Sequence, residues 1–169
     1  PAEDWCWGII IWGELADGNV IIDQDMTDSP KGGIVLSSAH NTLVKNCDIS
    51  GNAGTGLMIA ESSWAGGIPE GNNVIGNNIR NNAEGIRIAG TIGLGNEFHF
   101  NNIEGNTDFG INNLSPSVVD ATKNWWGDPS GPSGVGSGNG DPVSENVVYD
   151  PWLGTLYNSE FYIDNINIS

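Results

Sequence analysis

Cations are the scarcest feature of this chain: five Lys and Arg stand against 21 Asp and Glu, for a formal net charge of −16. A surface that acidic repels nucleic acid and anionic membranes, which argues against both as partners. Long apolar runs are missing too. None approaches the roughly 20 residues that a membrane span requires, so no membrane insertion is expected. No basic-then-apolar leader opens the chain at Pro1, which reads as a processed or excised piece of an extracellular or cell-surface protein. The two histidines, His40 and His99, have no metal-ligand spacing. The two cysteines, Cys6 and Cys47, form either one disulfide or two buried thiols. No Ser/His/Asp or Cys/His pairing can be argued. The Gly-rich runs "GTIGLG" and "GVGSGNG" lack the strand-then-helix setting of a phosphate loop and read as turns.

What is abundant is glycine, at 25 residues, together with asparagine. Both residues favour tight corners over long helices. They also keep a period. A Gly followed by mostly apolar residues recurs as "GIII" at Gly8, "GIVL" at Gly33, "GLMI" at Gly56, "GIRI" at Gly85 and, degraded, "GINN" at Gly110. A second string stays in step with it: "IIDQDM", "VKNCDI", "VIGNNI", "FHFNNI" and "ATKNWW". Two markers sharing a period of mostly 23 to 25 residues predict an all-β parallel solenoid of about five to six coils. Coils stacked about 4.8 Å apart put equivalent residues in columns. Strand alternation then sends Ile9, Ile34, Leu57, Ile86 and Ile111 inward, and Ile11, Leu36, Ile59 and Ile88 with them. Gln24, Cys47, Asn77, Asn101 and Asn124 form one column, which predicts a ladder of stacked side-chain amides at a corner. Met26, Ile49, Ile79, Ile103 and Trp126 form another, with Trp126 as a plug that ends the core. The expected organisation is coils over residues 1–127 with an outward loop near 61–72, a Gly/Pro-rich capping segment over 128–153, and a strand-like tail over 154–169.

The runs "GIVLSSAHNTLVKNCDISGN" and "GNNVIGNNIRNNAEGIRI" resemble the right-handed parallel β-helix repeat proteins, the broad pectin-lyase-like and NosD-like group. The run "DATKNWWGDPSGPSGVGSGNGDPVSENVVYDPWL" resembles the terminal segment of many secreted members of that group. The resemblance implies the fold and leaves the activity open, because the group holds lyases, hydrolases, epimerases, adhesins and plain surface repeats.

Catalytic candidates are few. A lyase on an acidic polysaccharide needs a base and cations that neutralise the substrate carboxylate, for which Asp48, Arg80 and Arg87 are the available set. A glycosidase needs two carboxylates several ångströms apart, and stacking brings Asp25 beside Asp48. Asp23, Asp25 and Asp28 form the densest acidic cluster, a candidate calcium site without the spacing of an EF-hand. No other cofactor is expected. A further column points outward and is apolar where it should be polar: Ile10, Val35 and Met58, with Trp12 and the Trp64 loop nearby. Trp64 and Trp125 are candidate stacking surfaces for a polysaccharide. In the tail, Phe161 and Ile163 could pair as an added strand on the same or a neighbouring subunit. The expected function is therefore that of a non-catalytic extracellular solenoid, a surface-layer, adhesive or filament-forming subunit that self-associates by coil stacking or strand addition. The alternatives are a polysaccharide-active enzyme or a carbohydrate-binding module.

Overall fold

The computed structural model describes residues 6–64 and 66–158. The chain winds as successive coils of short strands. The first coil holds β1 (Trp7–Trp12) and β2 (Val20–Ile22); the second holds β3 (Gly32–Ser37), β4 (Leu43–Lys45) and β5 (Asp48–Ser50). The third holds β6 (Thr55–Ala60), β7 (Asn73–Ile75) and β8 (Asn78–Arg80), and the fourth β9 (Glu84–Ala89), β10 (Glu97–His99) and β11 (Asn102–Glu104). A fifth contains β12 (Phe109–Asn113) and β13 (Val119–Asp120). The chain then makes β14 (Pro132–Gly134), β15 (Gly140–Val143) and β16 (Val147–Val148). Three parallel sheets form the walls, in the orders β1-β3-β6-β9-β12-β15-β14, β16-β13-β10-β7-β4-β2 and β11-β8-β5. This is an all-β parallel solenoid of about six turns. Its sheets run past residue 127, because β15 and β16 add a partial sixth coil to the first two walls.

The core is the set of columns that alternation demands. Ile34, Leu57, Ile86 and Ile111 are in register and fully buried, as are Leu36, Ile59 and Ile88 beside them. Leu57 stands opposite Ile86, so the long 61–72 excursion between β6 and β7 leaves the register intact. The insertion leaves and re-enters at a corner, where extra residues displace no ladder bond. The recurring marker glycine has a steric cause. A Cβ on Gly33, Gly56 or Gly85 would sit 2.6–2.8 Å from the carbonyl oxygen of the equivalent glycine one coil on, so only glycine fits where the wall turns.

The corners carry the polar structure. Asn77 Nδ2 donates to Asn101 Oδ1 at 2.9 Å, and Asn101 Nδ2 donates to Asn124 Oδ1 at 3.1 Å. Each Oδ1 also accepts the backbone N–H of the residue one coil back, while each Nδ2 also donates to a backbone carbonyl: Val44 for Asn77, Val74 for Asn101 and Phe98 for Asn124. Two further ladders occupy the other corners. One runs Asn52, Asn82, Asn106 and ends on the carboxylate of Asp141; the other joins Thr42 to Asn72 and Asn96. The residue before each of these asparagines has positive φ: Gly51, Asn81, Gly105, Gly71, Gly95, Gly76, Phe100 and Lys123. That left-handed step turns the chain and aims the amide down the axis.

The expected ladder needs one correction. Gln24 does not belong to it: its side chain is exposed and Nε2 donates to Ile22 O at 2.9 Å and Asp23 O at 3.1 Å. Its extra methylene carries the amide past the ladder axis and back onto its own loop. Cys47 contributes its backbone N–H, not its side chain, as the first rung. Both cysteines are free thiols, Cys6 exposed and Cys47 buried, and burial pushes the Cys47 thiol above the ordinary range.

Removing one central rung therefore strands several buried groups at once. Asn101→Ala removes the acceptor of the Asn77 N–H, one of the two acceptors of Asn77 Nδ2 and the side-chain donor to the Val74 carbonyl, and should cost about 3 kcal/mol in urea unfolding. Gln24→Ala, by contrast, should change stability by less than about 0.5 kcal/mol.

Candidate functional site

The outward column of the first sheet is continuous. Ile10, Val35, Met58, Arg87 and Asn112 are neighbours in register on consecutive strands. At its N-terminal end the column opens into a groove of about 630 Å³ lined by Trp7, Ile10, Trp12, Val35, Ser37, Ser62 and Trp64. The structure thus brings together four of the outward residues picked from sequence: Ile10, Trp12, Val35 and Trp64. Met58 continues the column beyond the groove, half-buried between Val35 and Arg87. Trp7 was missed, because alternation alone did not say that a strand-opening indole would lean over this face.

The groove is held together by one serine. Trp12 Nε1 donates to Ser62 Oγ at 3.0 Å, and the backbone N–H of Trp64 donates to the same oxygen at 3.2 Å. Ser62 N–H in turn donates to Ser38 Oγ at 2.9 Å. The loop bearing Trp64 is tied through these bonds to the sheet wall, while Trp64 itself remains 90% exposed.

The charged candidates fall into separate pairs. Arg80 Nη2 meets Asp48 Oδ2 at 3.0 Å. Arg87 Nη1 contacts both carboxylate oxygens of Glu84, at 2.9 and 3.0 Å, and Glu84 also accepts from Asn112 Nδ2 at 2.6 Å. Asp48, Arg80 and Arg87 therefore do not converge on one reaction centre. Asp25 and Asp48 do lie side by side on adjacent coils, joined by a parallel bridge. Asp23, Asp25 and Asp28 are exposed on the first coil, and among the described residues no group of three or more His, Cys, Asp or Glu is arranged to hold a metal.

The two tryptophans of "NWWG" behave differently from one another. Trp126 is fully buried, next in column after Ile103. Trp125 requires a correction: instead of projecting as a sugar-stacking surface it is only 9% exposed, and its Nε1 donates to Glu104 Oε2 at 3.0 Å. The carboxylate one coil back ties down the polar edge of the ring. Beside it a polar cleft of about 340 Å³ contains Arg80, Glu104, Trp126 and Asp141. Asp141 is not poised for acid–base work there. Its oxygens accept from Gly105 N–H, Asn106 N–H and Asn106 Nδ2 at 2.8–2.9 Å, which makes it the end stop of a ladder. Phe161 and Ile163 lie outside the described residues; ahead of them, the N–H and C=O of Tyr157 are both bonded to the side-chain amide of Asn102.

Parallel walls, inward aliphatic columns and asparagine corners together define the architecture, and a family model described as the right handed beta helix region matches residues 8–125. The chain belongs to that family. No curated protein and no solved structure matches this β-helix. The family relation therefore carries the architecture, and the function has to be argued from the surface.

Asp141 offers a test of the ladder chemistry. Burial pushes its carboxyl above the ordinary aspartate value, against the pull of the Asn106 and Gly105 donors. A carboxyl raised in the folded state contributes stability that is complete below its unfolded-state value and is lost as pH rises through its folded value. Relative to Asp141→Asn, which does not titrate, the parent β-helix should lose stability as pH rises from about 4 toward neutral. Denaturation midpoints of the two proteins across that range read the difference directly.

Proposed function

We propose that this β-helix is a non-catalytic structural solenoid of the cell exterior that associates with a second copy of itself through its N-terminal end. The observation that carries the reading is the incompleteness of the first coil. Ile9, Ile11 and Met26 are only partly buried, whereas the matching residues of the next three coils are fully buried. The outer edge of β1 is also unpaired among the described residues. A six-residue edge strand, "WGIIIW", with no charge and no proline, is a ready template for another strand.

The opposite end has none of these properties. Its edge strands are two or three residues long, Pro132 and Pro142 lie in the outermost pair, and the register shifts between Pro132 and Gly134. The following loop folds back, with Gly138 N–H donating to Pro132 O at 2.9 Å. Proline removes ladder donors, so this end is a poor partner for β1. A head-to-tail filament needs two receptive ends. Among the described residues only the β1 edge is receptive, so the proposed contact joins two β1 edges and closes at two copies.

The two arginines on which the enzyme reading relies are already engaged. Arg80 and Arg87, the groups a lyase would turn toward a substrate carboxylate, are each held by a carboxylate of the chain itself. An exterior location suits the acidic, thinly cationic composition. Asp23, Asp25 and Asp28 sit on the coil next to the proposed contact, where salt or calcium would screen the repulsion between two chains of charge −16.

Light scattering should show a concentration-dependent dimer that strengthens with added salt or calcium. Ile11→Lys places a charge on the open end of the core and should return the protein to monomer while circular dichroism keeps its β signature. A parent protein that stays monomeric at every concentration and salt level would overturn the assembly reading.

A further inference from the structure

Joining two β1 edges brings a second feature of each copy to the seam. A strand can hydrogen-bond to a two-fold copy of itself only when the two run antiparallel, about an axis perpendicular to the sheet. The two first sheets then continue into one another with their outer faces on the same side. The groove beside β1 opens on that face, so the grooves of the two copies adjoin across the seam. We infer that Trp64 of each copy crosses the seam and packs against Trp7 and Ile10 of the other. The inference rests on the β1 pairing and adds the side chains that hold the pair together.

The first argument is area. A six-residue strand is about 20 Å long and a sheet layer about 10 Å deep, so the β1 edge covers only roughly 200 Å² per copy. The open core adds the uncovered parts of Ile9, Ile11 and Met26. Stable contacts bury about 800 Å² per partner, so strand pairing needs further surface contiguous with β1. The groove is such a surface, since Trp7, Ile10 and Trp12 belong to β1 itself.

The second argument is chemistry. Trp7, Ile10, Trp12, Val35 and Trp64 make the lining apolar, and no ionisable side chain enters it. The Ser62 hydroxyl already accepts from Trp12 Nε1 and from the Trp64 N–H, which leaves an apolar occupant the better fit. In a chain of charge −16, this is surface that two copies can bring together without pressing carboxylates against each other.

The third argument is shape. A two-fold contact uses one patch twice, so that patch must carry both a projection and the hollow that receives it. Here the hollow is the groove and the projection is Trp64, whose ring is 90% exposed. The loop bearing Trp64 leaves the third coil but reaches back to the first. Ser62 is bonded to the Trp12 ring, and a Cβ on Gly67 would lie 2.8 Å from Glu14 Cβ. Trp64 therefore stands at the Trp12 end of β1, on the coil that forms the edge. Antiparallel pairing sets that end opposite the Trp7 end of the second copy. There the Trp7 ring is seated on Gly32, where any Cβ would collide with it. Both tryptophans are thus held in place before the copies meet, which spares the contact the cost of ordering them.

Sedimentation of the full chain over a range of concentrations, at a salt level where the parent pairs, tests the inference. Trp64→Ala should weaken the dimer at least tenfold, as loss of a central aromatic anchor does, and leave circular dichroism unchanged. Trp64→Phe should retain most of the affinity, and Leu94→Ala, exposed but outside the groove, should retain all of it. Dilution of the parent dimer should shift its tryptophan emission to longer wavelength, and Trp64→Phe should lose much of that shift. A dimer that Ile11→Lys abolishes but Trp64→Ala leaves at parent strength overturns the inference and spares the β1 pairing. A parent protein that never dimerises overturns both. A dimer weakened by Trp64→Ala but indifferent to Ile11→Lys also overturns the inference, because the copies then meet without the shared strand edge.

Discussion

Everything in this β-helix depends on satisfying the backbone where it turns. A strand finds its partners one coil above and one below, but at a corner the peptide groups point along the axis with nothing opposite them. The asparagine ladders supply the missing partners. One amide accepts a backbone N–H and donates to a backbone carbonyl, and it also bonds the amide of the next coil. Three ladders, one at each corner, fasten the three walls together. The aliphatic columns could not stack without them, since their inward positions follow from where the chain is made to turn.

That dependence explains how both ends of the repeat are built. A ladder in mid-stack needs a side chain that both donates and accepts, which asparagine provides at the right length. At the C-terminal end one ladder has no further coil to donate to, and the residue there is Asp141, an acceptor only. Its burial raises the carboxyl, a cost accepted to satisfy three N–H groups. Trp126 closes the neighbouring column with the largest available side chain. In the first described coil that ladder begins at the Ser29 N–H, which donates to Asn52 Oδ1, while Met26 leaves the Trp126 column only partly covered and Gln24 forms no rung in the Asn124 column.

These physical rules also decide what could be read from the residues. The period, the inward columns and the strand walls were legible because a β-branched residue every second position and a glycine at every return have only one geometric explanation. The ladder was legible as a column but not in its membership. Gln24 carries the same functional group as asparagine, and only the position of its amide one methylene further out excludes it. Two of the three ladders went unseen because Asn52, Asn82 and Asn106 sit between the strings that define the period, and Asn72 and Asn96 sit beyond an insertion that hides their spacing. Trp125 was misjudged for a related reason. Alternation gives the side of the wall on which a residue starts, and a bond to Glu104 decides whether the ring stands up from it or lies down.

The groove shows where such rules stop having force. Inside the wall every position is constrained by its neighbours one coil away, so substitutions are limited to residues of similar size and bonding. Outside it the same ladder of strands holds Ile10, Val35, Met58, Arg87 and Asn112 in one straight column without restricting what they are. The column passes from apolar to charged to amide along its length while the backbone beneath it stays unchanged. A solenoid therefore separates the residues that make it fold from those that let it act. The aromatic cluster at one end of this outer column stands on strands whose register is the same beneath Ile10 as beneath Arg87, so the wall accommodates it without requiring it.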